Sequence, residues 1–137
     1  MKLEKKPDKP LDVQKIIKQT VDLILNEDTQ KNVQAVLLFG SHADGTAIWR
    51  SDIDIAVLFK TESTEKEAFL FRRRLMGQLP EIVDLQVFNV LPLKIRKSIA
   101  ENHKVLLEMP DFEDVTFTRI NQELFFEFNH NMKILEA

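Results

Sequence analysis

The sequence contains no cysteine, which excludes disulfide bonds and metal sites built on thiolates. It also contains no apolar run that approaches the length of a transmembrane helix. No hydrophobic signal-peptide segment follows the basic first residues. We therefore expect a cytoplasmic location and no membrane partner.

No block of basic residues dominates the chain, and its formal net charge is −3 at pH 7. Tight non-specific binding to duplex nucleic acid needs several cations that neutralise phosphates, so strong direct nucleic-acid binding is not expected. The length of 137 residues and the hydrophobic content of 44% predict one globular domain. Residues 1–10, which include four lysines and two prolines, are predicted to form a flexible basic arm before a single domain at 11–137.

Helical and extended patterns alternate along the domain. Helical spacing of apolar residues predicts helices at about 12–26, 62–78, 91–101 and 111–134. Apolar or alternating segments predict strands at 33–39, 53–59, 82–88 and 104–108. This order indicates an α/β (α+β) fold, a small mixed β-sheet with helices packed mainly on one face.

For three of these helices the sequence also predicts a cap, a buried face or an aromatic surface. Asp12 is expected to cap the first helix. In the helix at 62–78 we expect Phe69, Leu70 and Leu75 to point inward and the arginines at 72–74 to point largely outward. The C-terminal helix has more aromatic residues than one packed face needs, which leaves two interpretations: packing on the sheet or a surface for a partner.

The stretch at 37–59 combines a Gly-Ser turn with two nearby carboxylates. Asp52 and Asp54 share one face of a strand, because successive side chains point to opposite faces. Their mutual repulsion would be relieved by a divalent metal, and hard oxygen ligands suit Mg²⁺. Gly40 allows close backbone approach to a ligand, and the N–H groups from Ser41 onward favour phosphate. A metal site beside a phosphate site suggests nucleotide chemistry.

A third carboxylate lies in the strand at 82–88. Val83, Leu85 and Val87 line one face of that strand, and Asp84 lies on the other. An acid inside an apolar strand is costly unless it is paired or bound to metal. Asp84 is therefore a candidate third acid if its strand lies beside that of Asp54. The alternative is an aspartate at a strand edge that faces water.

The assembled motif resembles a known family. Gly40-Ser41, Gly45 and then Ser51-Asp52-Ile53-Asp54 are similar to the signature of the DNA polymerase β-like nucleotidyltransferases. The resemblance is closest to their minimal branch, the MNT domains, which are often antitoxins paired with HEPN toxins. It covers roughly residues 33–107. It implies that Asp52, Asp54 and Asp84 are catalytic and hold two Mg²⁺ ions, and that Gly40, Ser41, Asp52 and Asp54 bind the nucleotide.

The same resemblance implies a reaction and a partner. It implies Mg²⁺-dependent transfer of AMP from ATP to a tyrosine hydroxyl of a cognate HEPN-type RNase toxin, within a hetero-oligomer. Two alternatives stay open, namely an antitoxin that acts by binding alone and nucleotidyl transfer to a small molecule such as an aminoglycoside. One departure from the pattern is Asp44, which stands where many minimal members have a basic residue. This change would weaken nucleotide binding or alter its pose.

Several neighbouring residues have competing interpretations. We expect Ser51 to act as a turn or cap residue and His42 to be an exposed histidine. Arg50 is as well explained by a surface position as by a phosphate contact, and Trp49 is expected to pack. His103 has no metal-ligand spacing and is expected to be a structural or a surface residue.

Overall fold

The computed structural model describes residues 12–136, so the predicted arm at residues 1–10 lies outside the described residues. Asp12 caps the first helix as predicted, because its Oδ1 accepts a hydrogen bond from the Lys15 N–H at 3.2 Å. The helices are α1 (Val13–Glu27), α2 (Ser41–Asp44), α3 (Glu65–Met76), α4 (Leu93–Glu101) and α5 (Asp114–Glu136).

The strands form one sheet of four, in the order β3-β2-β1-β4. β1 pairs antiparallel with β2 and with β4, whereas β2 pairs parallel with β3. The parallel pair needs a crossover connection, which α3 provides. This mixed sheet with helices confirms the predicted fold class. The strands are β1 (Val33–Phe39), β2 (Ile53–Phe59), β3 (Val83–Val87) and β4 (Lys104–Glu108).

One face of the sheet carries the larger core, which α1 and α3 cover. Alternation decides which side chains enter it: on β3, Val83, Leu85 and Val87 are buried and the residues between them are half-buried, as predicted. Ile24 of α1 and Leu75 of α3 are fully buried against this face. The sheet thus holds its apolar side under two helices.

The opposite face is also covered in part, by α4, α5 and the 3-10 turn Phe88–Val90. Ala35 and Leu37 of β1 and Ala56 and Leu58 of β2 lie there, packed with Ile99, Ala100, Phe112 and Phe117. β1 and β2 carry apolar side chains on both faces of the sheet, so both faces must be covered by other elements. Helices therefore lie on both sides of the sheet, which differs from the expectation of helices mainly on one face.

The register of α3 differs from the expected one. Its buried residues are Ala68, Phe71 and Leu75, while Phe69 and Leu70 are 59% and 40% exposed. The prediction for Leu75 is confirmed, and the predictions that Phe69 and Leu70 point inward are wrong. Four apolar residues follow one another at 68–71, so more than one of them can be assigned to the buried face. The set 68, 71 and 75 has the spacing of one helix face, and this is the set that is buried.

The C-terminal part of the chain leaves apolar side chains exposed. On α5, Phe117 and Asn121 are buried. Packing on the sheet therefore accounts for Phe117, whereas Phe125 is half-buried and Phe126 and Phe128 are exposed. No helix in the described residues is long and apolar enough to cross a membrane. Up to residue 133, where the description of the α5 side chains ends, the large exposed apolar residues of α5 are Val115, Ile120, Leu124, Phe126, Phe128 and Met132.

His103 joins the two helices of this face. Its Nδ1 lies 2.8 Å from the Ile99 carbonyl of α4, and its Nε2 lies 2.6 Å from Asp114 Oδ1 of α5. Its ring meets Phe117 edge-on, with centroids 5.7 Å apart. Of the two roles expected for His103, structural or surface, these contacts and a side chain that is 5% exposed favour the structural one. Pro92 precedes α4 as its N-cap.

Candidate active site at the start of β2

The acidic residues meet where β2 and β3 begin. Asp54 is paired in register with Asp84 of β3 on one side and with Phe39 of β1 on the other. Residues in register on paired strands point to the same face, so Asp54 and Asp84 are direct neighbours. Asp52 is exposed and immediately precedes the strand. The condition set for Asp84, that its strand lies beside that of Asp54, is therefore met.

Gly40 brings the backbone against this acid group. Its φ of +69° lies in the left-handed region, where side chains are disfavoured. A Cβ atom built at this position would overlap Asp54 Oδ2 and would lie 3.1 Å from Asp54 Cγ. Glycine is thus required twice, for the conformation and for the space. Ser41, half-buried, follows as the first residue of α2.

A short turn ties α2 to the start of β2. α2 ends at Asp44 and is capped by Gly45, whose φ is +83°. Ser51 Oγ accepts a hydrogen bond from the Ile48 N–H at 2.9 Å, in agreement with its predicted turn role. His42 is half-buried, not exposed as expected, because its Nε2 lies 3.2 Å from the Ser51 carbonyl oxygen. This contact keeps the imidazole beside the acid group.

The charges in this group are crowded. The pKa of the Asp54 carboxyl is raised to about 6, chiefly by burial and then by the neighbouring charges of Asp84 and Asp52. His42 acts against this shift and lowers the pKa of Asp54. A divalent cation would relieve the same repulsion, and carboxylate oxygens are the donors that Mg²⁺ prefers.

Asp84 has partners that the sequence analysis missed. Arg72 Nη2 lies 3.4 Å from Asp84 Oδ1, and Gln86 Nε2 donates to the same oxygen at 3.0 Å. The prediction of an outward Arg72 is therefore wrong, whereas Arg73 and Arg74 are exposed as expected. The position of Arg72 in the sequence is consistent with this contact. Arg72 follows Ala68 by one helical turn, which places it at the edge of the buried face.

The carboxylate oxygens of the three acids are suitable ligands for a divalent metal, but the three side chains do not form a preassembled metal site. Between residues 12 and 136, no group of three or more His, Asp or Glu side chains is assembled closely enough to hold one metal ion. Asp84 is engaged by Arg72, whereas Asp54 lies against the turn at Gly40 and Asp52 stands two residues before Asp54 in the chain. Their donor set, hard oxygens beside an accessible backbone, suits Mg²⁺.

Two pockets lie away from the acids. One, of about 250 Å³, adjoins Phe59, and its acids already have partners: Glu27 contacts Arg74 at 3.6 Å, and Asp28 accepts from the Asn32 N–H at 2.8 Å. The other, of about 280 Å³, adjoins Phe117. Neither is lined by the acids at β2 and β3. We place the functional site by its chemistry, because neither pocket combines crowded carboxylates with an open backbone.

The residues around Gly45 make local contacts. Asp44 Oδ1 accepts hydrogen bonds from the Thr46 N–H at 2.9 Å and hydroxyl at 2.5 Å, and these bonds lower the pKa of its carboxyl. Asp44 therefore carries its negative charge at neutral pH. The Arg50 guanidinium lies 4.4 Å from the centroid of the Trp49 ring, and both residues are exposed. Arg50 thus has the surface position that was one of its two interpretations, and no contact among the described residues tests the other, a phosphate contact.

Residues 19–111 match the family model described as "Polymerase beta, Nucleotidyltransferase". A Methanocaldococcus jannaschii protein that carries the provisional name of protein adenylyltransferase is 36% identical over 74 residues. That match covers 54% of this chain and 55% of the relative, so the chain spans about half of the relative's length.

Solved structures share the fold. A chain of the complex between a tri-AMPylated Shewanella oneidensis HEPN toxin and an MNT antitoxin matches with a TM-score of 0.67 and 19% identity, over 89% of this chain and 93% of that one. A chain of a toxin–antitoxin complex with AMP-PNP matches with a TM-score of 0.66 and 21% identity, over 86% and 94%. At these identities the likeness concerns the fold alone. The family model covers more than half of the sequence, and the chain therefore belongs to the polymerase beta nucleotidyltransferase family, as its Gly-Ser and Asp-Ile-Asp motifs predict.

Proposed function

We propose that this protein transfers AMP from ATP to a tyrosine hydroxyl of a HEPN-type RNase toxin in a Mg²⁺-dependent reaction, and that it acts as the antitoxin. The observation that carries the proposal is the in-register pair Asp54 and Asp84, with the backbone of Gly40 against Asp54. Two similar proteins support the choice of reaction and partner. One relative has the provisional name of protein adenylyltransferase, and one structural match belongs to a complex of an AMPylated HEPN toxin.

The acid group would hold the metal. Asp52 and Asp54 would ligate two Mg²⁺ ions, and Asp84 would complete the site on the acceptor side. When bound, such ions neutralise triphosphate charge and make the attacking oxygen more nucleophilic. The raised pKa of Asp54 supports this assignment, because the negative charge that crowds the site is the charge that a cation would offset.

The turn at Gly40 would bind the triphosphate. The backbone N–H groups of Gly40 and Ser41, with the Ser41 hydroxyl, would donate to the β- and γ-phosphates. Because Gly40 has no side chain, a phosphate can approach the backbone beside Asp54 without displacing its carboxylate. Donor and metal would thereby be held side by side, which is the positioning that phosphoryl chemistry requires.

The acceptor would reach the site from the β3 side. Asp84 would orient the attacking hydroxyl or accept its proton, within hydrogen-bond reach of the acceptor oxygen. A protein acceptor is favoured over a small molecule by the exposed apolar residues of α5, which give a macromolecular partner a surface to bind. The same surface favours a second candidate function, an antitoxin that acts by binding alone.

The decisive experiment measures the intact mass of the HEPN partner after incubation with this protein, ATP and Mg²⁺. We expect a gain of one or more AMP units that EDTA prevents and that Asp52→Asn abolishes. Asp22→Asn is the matched control, since it removes an exposed carboxylate from α1 on the opposite face of the sheet. A silenced partner of unchanged mass would refute transfer and would support inhibition by binding.

A further inference from the structure

Arg72 reaches the acid group from α3 by contacting the edge of the sheet. β3 is an edge strand, since its single partner in the sheet order is β2. Arg72 Nε donates to the outward Leu85 carbonyl oxygen of β3 at 2.7 Å, and its Nη2 lies 3.4 Å from Asp84 Oδ1. One guanidinium thus contacts both the backbone of β3 and the acid that β3 carries.

The two contacts depend on the shape of the guanidinium. Its nitrogens are held in a rigid plane, so that binding the Leu85 carbonyl through Nε fixes the place of Nη2. A lysine has one nitrogen and would make either contact but not both in this geometry. Gln86 donates to the same oxygen of Asp84 at 3.0 Å. Both side chains therefore engage Oδ1, which leaves Oδ2 as the oxygen of Asp84 for other contacts.

We propose that Arg72 is a positioning residue, which holds the Asp84 carboxylate by Oδ1 in the orientation beside Asp54 that the reaction uses. The proposal rests on the role of Asp84 in the proposed function. Both members of the Arg72–Asp84 pair have side chains that are 41% exposed, and an ion pair this accessible contributes little to stability. The contribution of Arg72 is to orientation, since without it Asp84 Oδ1 would keep the Gln86 amide as a partner but lose the link to the Leu85 carbonyl of β3.

The test uses three variants of α3. Arg72→Gln removes the charge and the planar pair of donors, Arg72→Lys keeps the charge and loses the fork, and Arg73→Gln is the matched control. Arg73 is exposed and adjacent on the same helix, so its removal changes net charge by the same amount. For each variant we would measure kcat and the KM for ATP in AMP transfer, the Mg²⁺ affinity by calorimetry without nucleotide, and the melting temperature.

We expect Arg72→Gln to lower kcat by about tenfold to a hundredfold, the cost of a misplaced catalytic group, with little change in the KM for ATP. Its Mg²⁺ affinity should rise about threefold, because a positive charge near the carboxylates is lost. Arg72→Lys should lower kcat while keeping the wild-type Mg²⁺ affinity. Arg73→Gln should change neither quantity, and all melting temperatures should stay close to that of the wild type.

Opposite changes in kcat and metal affinity are the signature of positioning. A variant with a damaged fold would lose both, so a joint loss in Arg72→Gln would overturn the proposal. An Arg72→Gln kcat within twofold of the wild type would also overturn it, as would full rescue by lysine. If the wild type transfers no AMP, the proposed function fails and this proposal fails with it. The calorimetry would then still show separately whether Arg72 acts on the metal site.

Discussion

Replacing Asp54 by asparagine should stabilise the metal-free protein while removing its metal site. The folded protein holds the pKa of Asp54 at about 6, against an ordinary value of 3.8. A carboxylate with a raised pKa opposes folding once it is ionised, so the wild type loses stability as pH rises from about 4 to 6. Asparagine keeps the volume and the shape of the side chain but carries no charge.

The size of the effect follows from the pKa. A difference of two pKa units corresponds to roughly 3 kcal/mol. Asp54 is half-buried, so solvent screening reduces this value, and we expect about 1 kcal/mol in practice. Asp54→Asn should therefore be more stable than the wild type by about 1 kcal/mol at pH 8, with the difference vanishing near pH 4.

Urea unfolding in EDTA at pH 8 and at pH 4 would measure this difference in the free energy of unfolding. Added Mg²⁺ should stabilise the wild type and leave Asp54→Asn unchanged, because a ligand stabilises the state that binds it. Asp22→Asn serves as the control for removing an exposed carboxylate from α1. The reasoning is refuted if Asp54→Asn is less stable than the wild type at pH 8 in EDTA, or if Mg²⁺ stabilises both proteins equally.

Four further substitutions separate the site from the fold. Gly40→Ala should weaken ATP binding in calorimetry and destabilise the protein by about 1–3 kcal/mol, because it combines positive φ with overlap on Asp54. Gly45→Ala, with φ of +83° and no atom within 4 Å of the added Cβ, should cost about 1 kcal/mol in urea unfolding and leave ATP affinity unchanged. His103→Ala should lower the free energy of unfolding by about 2–3 kcal/mol, since two hydrogen bonds and a buried ring contact are lost. Phe128→Glu, at an exposed position of α5, should leave stability unchanged and weaken co-purification with the HEPN partner; undiminished capture would exclude this part of α5 from the interface.

The sheet and the acid group follow from patterns that the sequence states directly. Strand alternation on β3 separates Asp84 from Val83 and Leu85, and this separation is what the structure has. The likeness to a known motif added the neighbouring position of the strands of Asp54 and Asp84, which periodicity alone does not give. The alternation was sufficient to place Asp84 and Val83 on opposite faces, because side chains of a strand alternate with a period of two residues.

Arg72 was harder to predict for a physical reason. The consecutive apolar residues of α3 allow more than one buried face, and the choice between them depends on the sheet against which the helix packs. An error in the register of α3 turns Arg72 outward and leaves Asp84 without its partner. The cover of the second sheet face depends in the same way on contacts between distant segments, such as those of Ala35 with the α4–α5 region.

The most direct test of AMP transfer uses ATP labelled at a single phosphate. The HEPN partner would be incubated with this protein, Mg²⁺ and ATP labelled at either the α- or the γ-phosphate. We expect label on a tyrosine of the partner from α-labelled ATP and none from γ-labelled ATP, with pyrophosphate released and with Asp52→Asn inactive. Label from the γ-phosphate, or a silenced partner that carries no label, would contradict nucleotidyl transfer.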